Sequence, residues 1–232
     1  MKDKKYILEA RDLKKSFGVT PALRGANLDV RQGEILAIMG PSGSGKSTLL
    51  HSLAGIFKPD SGEVWFEGKR LDQMDETKRT ELRRTEFGFV FQFGQLVPEL
   101  TAEDNIALPV LLNKVGRSEA YKKARSWFKR LGIDGYEKHR TGEMSGGQSQ
   151  RVALARALVT QPKVVFADEP TGSLDSLASE QVMELLVNLA HEQGATVVLV
   201  THDPRIAAYA DREVMVRDGK VTTAQRKSAA VL

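Results

Sequence analysis

Apolar residues along the chain fall into short alternations, short unbroken runs and one stretch of helical spacing. Residues 6–10 and 26–30 alternate loosely between apolar and polar, as strands with one buried face do. Residues 35–39, Ile-Leu-Ala-Ile-Met, form an unbroken apolar run after Gly33 and Glu34. That run predicts a strand covered on both faces, as in a parallel sheet. A glycine-rich stretch follows, and residues 47–53 open a helix. Residues 62–66 predict another strand, 75–84 a charged helix, and 87–91 a buried strand ending at Gln92. From about 101 to 142 the spacing turns helical, with Tyr121, Ala124, Trp127, Phe128 and Leu131 three or four apart and Gly132 as the stop. Apolar, β-branched segments return at 163–167 and 196–200, with a helix over 178–191 between them and Gly194 just beyond it. Strand and helix thus alternate around a helical insertion.

Composition narrows the class. The chain has 232 residues, 41% hydrophobic and 28% charged, which suits one folded domain with a full core. The longest apolar runs, such as Val197 to Val200, fall far short of the about 20 residues a membrane span needs. Nothing near the N-terminus reads as a secretory signal. With no cysteine, disulfides, Cys-ligated zinc and iron–sulfur clusters are excluded. The net charge of +4 is a mild excess without a dense basic block; the nearest stretches, 2–5, 79–84 and the tail around 226–227, read as solvated faces and ends, and no nucleic-acid partner is expected.

Residues 40–48 read Gly-Pro-Ser-Gly-Ser-Gly-Lys-Ser-Thr. They satisfy G-x-x-x-x-G-K-[ST] after a predicted strand and before a predicted helix, the context this phosphate-binding pattern requires. Gly40, Gly43 and Gly45 let the backbone turn its amides inward, and Ser42 and Ser44 lie between them. Those amides and the helix N-terminus make an anion site. Lys46 would place its charge between the β- and γ-phosphates, Ser47 would offer Mg²⁺ a hard oxygen, and Thr48 would donate to the α-phosphate. A chance match in a chain of this length is on the order of one per cent.

Residues 144–148 read Met-Ser-Gly-Gly-Gln, followed by Ser149-Gln150-Arg151 and an apolar helix pattern to Val159, with Pro162 as its end. Here the sequence resembles the ABC ATPase family, whose signature is usually L-S-G-G-Q; Met144 and Ser149 are the departures. Alone, the segment would read as an ordinary Ser-capped helix. The resemblance implies that Ser145, Gly146, Gly147 and Gln148 contact the ATP held by a second copy, so that two chains face head to tail.

The resemblance also assigns the hydrolytic residues. After the run 164–167 come Asp168 and Glu169. Asp168 is implied at the Mg²⁺ and Glu169 at the attacking water. The following Pro-Thr-Gly-Ser-Leu-Asp matches the family's crossing loop, with Asp175 at the nucleotide. His202 resembles the switch histidine at the γ-phosphate, and Gln92 the glutamine that contacts Mg²⁺ and water. Phe17 matches the adenine-stacking aromatic, with core packing as its competing role. His51, His139 and His191 are read as structural.

The implied fold is α/β. It has a P-loop NTPase (RecA-like) core with a mainly parallel sheet, an N-terminal antiparallel β-subdomain and an inserted α-helical subdomain. The expected bounds are about 1–92 and 160–222 for the core, 93–159 for the insert and 223–232 for a tail. The segments 88–92, 100–109 and 167–175 resemble the ATPases of macrolide-, lipoprotein- and haem-type exporters. The implied protein hydrolyses ATP with Mg²⁺ as a homodimer at the cytoplasmic face of the inner membrane. It docks a permease helix around residues 93–108 and drives export or extraction of an amphiphile. A force-transmitting, non-transport complex such as a cell-division regulator is the alternative. A soluble ABC ATPase would carry two cassettes, a coiled coil or zinc ligands, and a P-loop kinase or GTPase would lack residues 144–148.

Overall fold

The computed structural model describes residues 6–92 and 95–225. Phe93, at the start of the expected permease groove, lies outside the described residues, as do the basic ends at 2–5 and 226–227. The chain divides into two compact units, one drawn from the chain up to Arg83 and from Thr196 onward, the other from Arg84–Ala195. In order, the elements are β1 (Tyr6–Phe17), β2 (Thr20–Arg31), β3 (Ile35–Met39), α1 (Lys46–Leu53), β4 (Ser61–Phe66), β5 (Lys69–Arg70), α2 (Glu76–Thr85), β6 (Phe87–Phe91), α3 (Ala102–Leu112), α4 (Arg117–Leu131), α5 (Gly146–Leu158), β7 (Val164–Asp168), α6 (Ser176–Gln193), β8 (Thr196–Val200), α7 (Pro204–Ala207), β9 (Arg212–Arg217) and β10 (Lys220–Gln225). Among the described residues no helix is long and apolar enough to cross a membrane.

The first unit holds an antiparallel sheet in the order β2-β1-β4-β5. Its register pairs Leu8 with Val30, Ala10 with Leu28 and Leu13 with Ala26, all buried, so the two strands share one apolar face. The strands run well past the expected 6–10 and 26–30. Register shifts between Ala10 and Leu13 and again at Leu13/Lys14 break the period of two, and Asp12 takes φ +46 there. A bulge of this kind hides a strand from any reading based on alternation. The same unit holds the strand order β10-β9-β3-β8, with β3 parallel to both β8 and β9 and β10 antiparallel to β9. Ile35, Leu36, Ala37 and Ile38 are buried, as are all five residues of β8, which is why those segments read as unbroken apolar runs. The hairpin β9–β10 went unread in the sequence. Its buried Val214 and Val216 sit between charged residues, and its turn is Asp218-Gly219.

In the second unit β6 and β7 pair in parallel, and Phe166 meets the rings of Phe87 and Phe89 at 5.1 and 5.7 Å. Helix α4 buries Ala120, Ala124, Trp127, Phe128 and Leu131 and stops at Gly132 with φ +63, where the pattern places its end. Tyr121 lies off that stripe and donates to Asp104. Thr101 and Asp104 close a capping box on α3. One turn in, the fully buried Asn105 accepts from the Val97 amide and donates to the carbonyls of Val97 and Thr101. Asn105 therefore does for residues 97–101 what a ladder of backbone bonds does for a strand. Glu103, also fully buried, receives Arg125 and Lys138. Removing either of those cations would leave a buried carboxylate short of a partner.

Buried Asp72 carries a pH dependence into the first unit. Burial raises its pKa, but hydrogen bonds from Arg70 and the Val64 amide outweigh that and hold it below the ordinary value of 3.8. A depressed folded-state pKa stabilises the fold above the unfolded value, and the benefit is lost as pH falls through the folded one. Urea unfolding between about pH 6 and pH 3 should therefore cost the wild type more stability than Asp72→Asn. Parallel losses in the two proteins would dismiss Asp72 as the source.

Candidate functional site

In the first unit, β3 delivers the chain into residues 40–45 and α1 receives it at Lys46. Gly45, the residue capping α1, has φ +103, and Gly40 has φ +147. A Cβ on Gly40 would stand 2.2 Å from the Val216 carbonyl oxygen, and one on Gly45 would stand 2.4 Å from that of Ala22. Neither position admits another residue, because both the backbone angle and the space exclude a side chain. Ser42, Gly43 and Ser47 are exposed around the loop, whereas Ser44 and Lys46 are buried. Lys46 donates from Nζ to the carbonyls of Gly40 and Pro41, both at 2.9 Å. The buried Ser44 hydroxyl has no hydrogen-bond partner among the described residues. Helix start, positive-φ glycines, a buried ammonium and a spare hydroxyl together fit a polyphosphate.

Phe17, at the end of β1, is 48% exposed, so core packing does not account for it. Its ring meets Phe57 edge-on at 5.4 Å, with the Lys15 ammonium 5.8 Å above. His202 is exposed just past β8. The backbone beside it is braced, with the Asp203 amide donating to buried Thr201 Oγ1 and the Asp203 carboxylate capping α7. Hydrogen bonds from the Arg205 side chain and amide hold the Asp203 carboxyl below the usual carboxylate range.

In the second unit, the β6–β7 register pairs Phe91 with Asp168, so the chain leaves both strands at the same level. Gln92 follows on one side and Glu169 on the other. Glu169 takes φ +49, uncommon for a residue with a side chain. Its carbonyl accepts from the Gly172 amide at 3.1 Å, closing the turn. Ser173 donates from Oγ to the Gln92 carbonyl, and a Cβ on Gly172 would stand 2.7 Å from Gln92 Nε2. A side chain at Gly172 would have to displace the Gln92 amide from its present position. Gln150 on α5 donates to the Phe91 carbonyl, and Arg156, one face further along, donates to that of Gln95. Helix α5 thus anchors both flanks of Gln92.

Helix α5 begins with a capping box. Ser145 Oγ accepts from the Gln148 amide, and Gln148 Oε1 accepts from the Ser145 amide. The Ser145 hydroxyl proton stays available to an outside acceptor, since Oγ serves the box only as acceptor. A Cβ on Gly146 would stand 3.2 Å from Leu174. A pocket of ≈ 360 Å³ opens on Ser145 to Gln148, on Ser173 to Asp175, and on Gly132, Ile133, Arg151, Ala178 and Gln181. Asp175 spends its carboxylate on the Ala178 amide as the α6 cap. Arg151 and Gln181, joined at 2.7 Å, line the pocket without a sequence signal that marks them, because they meet only when α5 and α6 pack. Among the described residues no group of three or more His, Asp or Glu could hold a metal. Ser47 in the first unit, and Gln92 and Asp168 in the second, each carry a hard oxygen of the kind Mg²⁺ accepts.

Known proteins match this arrangement. Residues 23–172 fit the family model described as ABC transporter. The lipoprotein-releasing system ATP-binding protein LolD of Psychrobacter arcticus is 44% identical over 218 residues, 92% of this chain and 96% of that one. The macrolide export ATP-binding/permease protein MacB of Marinobacter nauticus is 40% identical over 232 residues, 97% of this chain and 36% of that longer protein. A dimeric ATP-binding cassette solved after hydrolysis with ADP and Pi bound superposes with a TM-score of 0.87 at 37% identity, over 96% of this chain and 99% of that one. The chain belongs to the ABC transporter family, as an ATP-binding and ATP-hydrolysing cassette.

Proposed function

We propose that this cassette works as a homodimer beneath a membrane permease, at the cytoplasmic face of the inner membrane, and that ATP binding closes the pair. The observation that carries the pairing is the pocket at Ser145 to Gln148. One chain has two phosphate-competent helix starts, at α1 and at α5. The Ser145 hydroxyl, the amides of Gly146 and Gly147, and Gln148 would meet the nucleotide held by the other copy's residues 40–48, with Asp175 entering from the crossing loop. The exposed face of Ser145 and Gly146 supports that reading.

Phosphoryl transfer asks a protein for position and charge more than for covalent chemistry. Lys46 would exchange its two carbonyl partners for the β- and γ-phosphates, and the amides of 42–48 would cradle the rest. Mg²⁺, when bound, neutralises charge on the phosphate oxygens; Ser47, Gln92 and Asp168 would hold it. Glu169 would orient water, His202 would touch the γ-phosphate, and Phe17 would stack on adenine. The permease would dock along residues 95–108, where half-buried Leu96, Val97 and Leu100 leave apolar surface on a segment pinned by Asn105. Relatives named for lipoprotein release and macrolide export favour an amphiphilic cargo of one of those classes.

Three measurements test these roles. Glu169→Gln should bind ATP normally and lose about 10²-fold or more in turnover, accumulating as an ATP-bound dimer; near-normal turnover would falsify the assignment. Gly172→Ala should push the Gln92 side chain aside and slow turnover by roughly 10- to 100-fold at an unchanged melting temperature. Unaltered turnover would show that Gln92 has no such role. Finally, Lys46→Ala and Gly147→Asp should each be inactive alone, yet their mixture should regain activity from the one intact composite site of each heterodimer. Mixtures no better than the single variants would rule out the head-to-tail pair.

A further inference from the structure

Gly219, in the turn between β9 and β10, touches residues 40–45 from behind. Its amide donates to the Ser44 carbonyl at 3.0 Å, and its own carbonyl accepts from the Arg24 amide at 2.9 Å. A Cβ there would stand 2.6 Å from the Ala22 carbonyl oxygen and 3.0 Å from the Arg24 nitrogen. The turn therefore ties the phosphate loop to β2 through one backbone unit, and the fit is close enough to exclude a side chain.

A peptide group is planar and trans, so its C=O and N–H point in opposite directions. Fixing the Ser44 carbonyl on Gly219 fixes the direction of the Gly45 amide in the same plane, away from the turn. That amide belongs to the start of α1, where an anion would be received. From this geometry we infer that Gly219 is a positioning residue for ATP: it aims a backbone donor of the phosphate loop without touching nucleotide. The inference rests on reading residues 40–48 as the ATP cradle.

The fold supplies a matched control. Glu67 and Gly68, between β4 and β5, form a turn with φ +47 and +76, against +48 and +72 for Asp218 and Gly219. A Cβ on Gly68 meets nothing within 4 Å. Gly68→Ala and Gly219→Ala thus impose the same backbone strain, and only the second disturbs the loop. For ATP hydrolysis by the full-length protein, Gly219→Ala should raise KM by about tenfold or more with a smaller fall in kcat, and Gly68→Ala should leave both near wild type. Gly219→Ala should also lower the nucleotide-free melting temperature more than Gly68→Ala, because its Cβ meets backbone as well as the strain the two share. Equal KM values in the two variants would overturn the proposal. If Gly219→Ala does not fold, Gly219→Asn adds a Cβ with less strain at positive φ and takes its place. If neither folds while Gly68→Ala does, the turn serves the fold and the proposal is overturned. Lys46→Ala separates the layers. Unchanged ATP affinity there removes the cradle reading itself, whereas lost affinity there with normal Gly219→Ala kinetics removes only the latch.

Discussion

A phosphate bound by backbone amides is held only as well as the backbone is aimed. Side chains can swing to meet a ligand; a peptide plane can turn only if its two neighbouring dihedrals turn with it. The first unit is arranged around that constraint. Buried β3 fixes where the loop begins, and α1 fixes where it ends. Between them the chain passes so near to Val216 and Ala22 that side chains have no room. Gly40 and Gly45 are therefore required twice over, by their backbone angles and by their neighbours, and Gly43 by its backbone angle alone.

The same constraint recurs in the second unit at α5. There a capping box engages the Ser145 and Gln148 amides and leaves the Ser145 hydroxyl proton to spare. The catalytic candidates are set by strand register instead. Because β6 and β7 are parallel and Phe91 pairs with Asp168, Gln92 and Glu169 emerge together. Packing then refines their placement, since Gly172 yields space to Gln92 and Gln150 holds the strand end. The positive φ of Glu169 is a cost of roughly 1–3 kcal/mol at a spot where direction matters more than ease.

Polar burial has a share in this unit. Asn105 and Glu103, both fully enclosed, organise the segment after Gln92 and its neighbours through directed bonds. Such groups are tolerated because every strong acceptor has found a donor. They also make the segment definite without making it part of a sheet or helix.

The sequence alone determined the parts whose signal is local. Residues 40–48 declare their chemistry through glycine, hydroxyl and cation at fixed spacing, residues 144–148 do so only through the family resemblance, and buried strands such as 35–39 and 196–200 declare themselves as apolar runs. Helix stops at Gly132 and Gly194 were equally plain, since an αL residue beyond a helical stripe is a local demand. The extent of β1 and β2, the hairpin β9–β10, the pairing of Arg151 with Gln181 and the closeness of Gly219 to Ser44 were decided only by tertiary structure. Apart from that hairpin, whose strands and Asp-Gly turn lie together in one short segment, each depends on residues far apart in the chain or on a bulge that breaks periodicity.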